Sequence, residues 1–152
     1  MTVDSMYQEI ILDHYRHPQH RGLREPYDVE VHHVNPTCGD EVTLRVRLSD
    51  GVVRDVSYDS IGCSISQASA SVMSGLLRDR DVDDALGVQE QFLTLLQSRG
   101  EGDGAGLDRL EDAVAFAGVS RYPARIKCAL LPWMAWKDAT LQARERTKAE
   151  ES

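Results

Sequence analysis

Nothing in this chain approaches the ~20 consecutive apolar residues that a membrane-spanning helix needs, so no membrane span is expected. The opening residues, Met1 to Ile10, lack a basic stretch followed by an apolar one. That argues against a secretory signal and makes the cytoplasm the expected location. A Lys/Arg-rich stripe is also missing: 17 basic residues are scattered against 25 acidic ones, for a net charge of −8. Phosphate binding needs a cationic face, so neither nucleic acid nor an anionic membrane is an expected partner. Cysteine is scarce, with three residues, and no CxxC pair occurs. Three cysteines cannot all pair within one chain, and a cytosolic chain seldom keeps disulfides. Each is therefore a buried apolar side chain, a reactive thiol or a metal ligand. No internal repeat and no second domain are visible.

What is present suits one globular domain. The chain has 152 residues, 41% of them apolar and 28% charged, enough for one real core. Ser5 to Arg16 reads as a helix, with Ser5 and Gln8 as a capping box and Met6, Ile10 and Ile11 on one stripe beside Tyr7 and His14. Pro18 stops it. Val29 and Val31 alternate with charged residues. Val42, Leu44, Val46 and Leu48 alternate with Thr43, Arg45 and Arg47, the pattern of a half-buried antiparallel strand. Asp50-Gly51 is a hairpin turn, and Val52 to Tyr58 returns as a third strand.

After Cys63 the period becomes helical. Ser64 to Arg80 is one helix, Val82 to Leu86 a short turn, Val88 to Gln97 another helix and Leu110 to Val119 a further short one. Four glycines within residues 99–106 predict a mobile loop. Pro123 opens the last helix, which carries Cys128, Trp133 and Trp136 to about Arg146, with a kink expected at Pro132. The two tryptophans are expected against the sheet, and residues 144–152 as a solvated tail. The order is helix, strands, helices. It predicts an α+β fold, a three-stranded antiparallel sheet with helices on one face, in a single domain with a core over about 6–143.

The cysteines sit at element ends. Cys38 lies in a turn, Asn35-Pro36-Thr37-Cys38-Gly39-Asp40, before the clearest strand. Cys63 follows Gly62 at a strand-to-helix junction, where orphan amides and the macrodipole favour a thiolate. Cys128 lies near the start of the last helix. In extended chain Cys38 and Asp40 point the same way, and Gly39 lets the backbone bend between them. Three thiolates and a carboxylate would form a four-ligand set suited to tetrahedral Zn2+ and unsuited to Mg2+ or Ca2+. Asp40 could equally cap its turn, and the spacing alone leaves the cysteines' role open.

Three motifs in order change that. Asn-Pro-Thr-Cys-Gly-Asp at 35–40, Gly-Cys-Ser-Ile-Ser at 62–66 with Ala-Ser-Ala-Ser at 68–71, and Arg-Ile-Lys-Cys-Ala at 125–129 resemble the SufU branch of the IscU-like family of iron–sulfur-cluster assembly proteins. Tyr-Gln-Glu-Ile-Ile-Leu-Asp-His-Tyr at 7–15, with His17-Pro18 and Arg21-Gly22, resembles that family's first helix and loop. The resemblance implies the SufE/IscU-like fold and metal ligation by Cys38, Asp40, Cys63 and Cys128. It also implies a pyridoxal-phosphate cysteine desulfurase of the SufS type as sulfur donor and a SufBCD-type cluster assembly complex as recipient. The scaffold branch carries His directly before its third cysteine, where this chain has Lys127. The interval between Cys63 and Cys128 is also longer, by a segment covering roughly residues 85–107. Both features favour a zinc-dependent sulfurtransferase that receives persulfide sulfur on Cys38. The alternative is a scaffold holding a transient iron–sulfur cluster on the same residues. Arg125, one turn before Cys128, is a candidate donor to the ligands, or else a surface ion-pair residue, and Lys127 stands beside it. His14, His17, His32 and His33 are read as structural or surface residues rather than ligands.

Overall fold

The alternation around Leu44 resolves into the central strand of the sheet. The computed structural model describes residues 3–36, 39–97 and 107–151, with the side chains of 3–5, 107–109 and 147–151 excepted. Its elements are α1 (Val3–Arg16), β1 (Val29–Asn35), β2 (Asp40–Ser49), β3 (Val52–Ile61), α2 (Ser64–Leu77), α3 (Val82–Gln97), a 3₁₀ segment (Leu107–Arg121) and α4 (Pro123–Glu151). The expected mobile loop at 99–106 lies outside the described residues, as does Cys38. The three strands form an antiparallel meander in the order β1-β2-β3. At the β2–β3 turn Asp50 and Gly51 both take positive φ, 54° and 76°, which matches the right-handed twist of the flanking strands. Val42, Leu44 and Val46 are buried, while Thr43 and Arg45 on the opposite face are partly exposed. The helices cover the apolar face: α4 lies on β1 and β2, and α2 packs on β3, α1 and α4. The α+β layout read from the sequence is the one observed. Among the described residues no helix is long and apolar enough to cross a membrane.

The helices depart from expectation in instructive ways. α1 begins at Val3, so Ser5 lies inside it rather than at its cap. Met6 is half exposed, and the buried stripe runs through Ile11 and His14 with Tyr7 and Ile10 beside them. The short turn and helix expected on either side of Gly87 are one helix, α3. Val82, Ala85, Val88, Phe92 and Leu96 bury one continuous face, and that burial outweighs a helix-interior glycine worth about 1 kcal/mol. The segment expected as a short α-helix is 3₁₀, broken at Glu111 (φ 46°, ψ −125°). Among its buried residues, Leu110, Ala113, Phe116 and Val119 are spaced by three, the period of a 3₁₀ helix, with Ala115 and Ser120 buried beside them. α4 is continuous through Pro132 and remains helical to Glu151, through positions read as a solvated tail. Arg144 pairs with Asp83 there, and Arg146 Nη1 donates to the Asp28 carbonyl at 2.7 Å.

Trp133 contacts two other helices. Its ring stacks on Phe92 of α3, with centroids 4.1 Å apart and planes 15° from parallel. Its indole N–H donates to Ser69 Oγ of α2 at 2.9 Å, and Ser69 in turn donates to the Ala129 carbonyl at 2.6 Å. One side chain thus joins α2, α3 and α4 next to Cys128.

The loop after α1 carries a pH-sensitive contact. His20 takes a positive φ of 58°, and its Nδ1 lies 2.9 Å from Arg78 Nη1. Burial first, then the charges of Arg78 and Arg24, hold His20 below its ordinary value of 6.5. As pH falls, the unfolded chain therefore takes up this proton before the folded one, and stability drops as pH passes downward through 6.5. Urea midpoints measured between about pH 7 and pH 5 are expected to fall less steeply for His20→Gln than for the wild type. Equal slopes would show that His20 does not contribute.

Candidate metal centre

Strand register brings the cysteine motifs together. Glu41 pairs with Ile61 across β2 and β3, which sets Asp40 beside Gly62 and Cys63. On the other side Asn35 pairs with Asp40, and Gly39 N donates to the Asn35 carbonyl at 2.8 Å. Gly39 has φ +74°, a left-handed conformation that glycine adopts without cost. Cys63 caps α2 in extended conformation (φ −73°, ψ 166°) with no side-chain cap bond of its own. Its amide instead donates to Asp40 Oδ1 at 2.9 Å. α4, lying over β2, delivers Cys128 in its second turn.

The outcome is a compact donor set. One ligand atom from each of Asp40, Cys63 and Cys128 lies within 4.8 Å of the other two. Cys63 Sγ is 3.9 Å from Asp40 Oδ2 and 3.9 Å from Ser66 Oγ, and Cys128 Sγ is 3.8 Å from the Ala124 carbonyl oxygen. Two sulfur ligands on one tetrahedral zinc stand about 3.8 Å apart, so the group needs to contract by only about 1 Å to share an ion. Burial points the same way. Asp40 and Cys128 are both 0% exposed. Among the described residues no Lys, Arg or His side chain forms an ion pair with Asp40. A buried carboxylate without a cation is costly, and a metal ion would supply the missing positive charge. The residues present therefore fit a thiolate-rich metal centre.

The other candidates fall elsewhere. Arg125 and Lys127 are exposed on the first turns of α4. Arg125 borders an open groove of about 710 Å3 whose walls include Tyr7, Ile65, Val119 and Tyr122. Among the described residues neither side chain hydrogen-bonds to Asp40 or Cys63. His14 is buried as a tie between helices: Nδ1 lies 2.8 Å from Ser71 Oγ and Nε2 lies 2.9 Å from Asp112 Oδ2. His17 is exposed. His32 contacts Thr43 and Glu41, and His33 Nε2 lies 2.9 Å from Asp138 of α4, so neither histidine turns to the centre. Sequence reasoning missed Ser66, buried one turn into α2 with its hydroxyl toward Cys63. Its signal was available in the three-residue spacing from Cys63, which places both on one helix face.

Known proteins resemble this chain over most of its length. The family model for the NifU-like N-terminal domain matches residues 6–129. The zinc-dependent sulfurtransferase SufU of Bacillus subtilis is 38% identical over 135 residues, 88% of this chain and 88% of the relative. The iron–sulfur cluster assembly scaffold protein IscU of Thermotoga maritima is 36% identical over 139 residues, 91% of this chain and 95% of the relative. The N-terminal part of a nitrogen-fixing NifU-like protein from Brucella abortus superposes with a TM-score of 0.82 at 26% identity, covering 94% of this chain and 97% of that one.

Proposed function

Because the chain belongs to the NifU-like N-terminal domain family, we propose that it serves iron–sulfur cluster assembly as a zinc-bound sulfur acceptor. The observation that carries this reading is the convergence of Asp40, Cys63 and Cys128 at one buried point. Cys38 completes the ligand set from the turn two residues before Asp40. A donor set of three sulfurs and one oxygen is soft and four-membered, the preference of zinc. Bound zinc keeps its thiolates deprotonated at neutral pH while sharing, and so moderating, their charge. Cys63 and Cys128 are anchored on helices and Asp40 on β2, so these three hold the centre. Cys38 is the acceptor. Its thiolate attacks the outer sulfur of a persulfide on the partner, the partner's S–S bond breaks, and the partner's cysteine leaves as thiolate. Cys38 then carries the persulfide.

The donor in this reading is a pyridoxal-phosphate cysteine desulfurase of the SufS type, and the recipient a SufBCD-type complex. The cytoplasm, where thiols stay reduced, is the compartment in which such a relay works. Lys127 supports relay over scaffold, because a two-iron cluster on three cysteines and an aspartate would lack the extra histidine at that position. Protein purified without added metal is expected to contain one zinc per chain and to be colourless. Sub-stoichiometric zinc, together with bound iron and sulfide and a visible cluster spectrum, would establish the scaffold reading instead.

A further inference from the structure

Gly62 joins the end of β3 to the cap of α2, and its φ is +146°. A Cβ built there would lie 2.1 Å from Asp40 Oδ1, 2.8 Å from Asp40 Cγ and 3.0 Å from Asp40 Cα. The first two distances are shorter than any packed contact allows. Asp40 has nowhere to retreat, since it is fully buried and its Oδ1 is held by the Cys63 amide. The other positive-φ glycines differ. Gly39 and Gly51 have nothing within 4 Å of a built Cβ, so their backbone angle alone calls for glycine. At position 62 glycine is required by the occupant of the neighbouring space, and that occupant is the carboxylate.

We propose that Gly62 is a positioning residue of the metal centre: its missing side chain is the room in which the Asp40 carboxylate sits against the α2 amide and presents Oδ2 to the two thiols. Any side chain at 62 evicts the carboxylate and leaves a centre with sulfur donors only. Gly62 thereby sets the fourth donor as an oxygen, the weaker and more exchangeable kind in a thiolate site. The inference rests on the zinc reading above.

Cobalt(II) loaded into the full chain in place of zinc tests it, because visible absorption reports the donor set directly. Wild type, Gly62→Ala, Asp40→Ala, the double variant and Gly51→Ala are compared, with a chromophoric chelator as competitor. Gly62→Ala is expected to show the Asp40→Ala spectrum and to lose metal to the chelator about 10–100-fold more readily than wild type. The double variant is expected to match either single one, and Gly51→Ala to keep the wild-type spectrum. A wild-type spectrum for Gly62→Ala overturns the inference, and so do losses that multiply in the double variant. Should Gly62→Ala not fold alone, recovery of the fold on adding Asp40→Ala supports the clash, and no recovery overturns it. If the wild type itself takes up neither cobalt nor zinc, the metal reading has failed and not merely the role of Gly62.

Discussion

Replacing Cys38 with alanine is expected to abolish sulfur acceptance completely while leaving the chain folded. The argument is one of access. Persulfide transfer requires a bulky partner to bring its outer sulfur within bonding distance of a thiolate. Cys128 is fully buried on α4, and Cys63 is partly covered at the cap of α2. Pro36 and Gly39, the described residues on either side of the Cys38 position, are both exposed. A thiolate flanked by exposed residues is the one expected to meet a partner, and one inside a helix packing interface cannot. Some zinc should survive in Cys38→Ala, held by the two remaining thiolates, Asp40 and water. The check is mass spectrometry after incubation with desulfurase and cysteine. The added sulfur should map to Cys38 in the wild type and vanish from the variant. A label found mainly on Cys63 or Cys128 would refute this assignment of roles while leaving the metal centre intact.

Truncating Trp133 is expected to have the largest effect on stability. Trp133→Ala removes a fully buried indole, its stack on Phe92 and its bond to Ser69. Large aromatic deletions in a core cost about 3–5 kcal/mol through lost transfer energy and the cavity left behind. For a chain of this size that corresponds to a fall in melting temperature of roughly 10 °C. Ser69 keeps its bond to the Ala129 carbonyl, so its hydroxyl is not stranded. Because α4 also carries Cys128, metal affinity should weaken in the same variant. Trp133→Phe, which retains the stack but not the N–H, should recover most of the stability. A melting temperature unchanged by Trp133→Ala would mean that α2, α3 and α4 are joined by other contacts.

The sheet was legible residue by residue. A two-residue period has one structural meaning when its apolar face is buried, and Val42, Leu44 and Val46 display it without interruption. Asp50-Gly51 was equally direct, since few dipeptides accept two positive φ angles in succession. The helices were less so. Gly87 suggested an interruption that packing overrode, because a propensity of about 1 kcal/mol is small beside the burial of Phe92 and its neighbours. A three-residue spacing of apolar residues, Leu110, Ala113, Phe116 and Val119, was present in the sequence. Over so short a stretch it also fits one side of an α-helix, and only the backbone distinguishes the two.

The candidate site divides along the same line. Its donor chemistry is a local property: a thiol or carboxylate is the same ligand wherever it lies, and it was the resemblance of the three cysteine motifs to a family, not their spacing, that singled out these four residues as a donor set. The meeting of Asp40, Cys63 and Cys128 is not local. Cys38, Cys63 and Cys128 are separated by 25 and 65 residues (63−38 and 128−63). No short-range rule brings such positions together. The Glu41–Ile61 register does it for Asp40 and Cys63, and the passage of α4 over β2 does it for Cys128. The role of Gly62 belongs wholly to the fold. In the sequence it is one glycine before a cysteine. Against Asp40, 22 residues earlier (62−40), it is the space that a buried carboxylate occupies, because van der Waals exclusion acts between atoms that are close in space and takes no account of their distance along the chain.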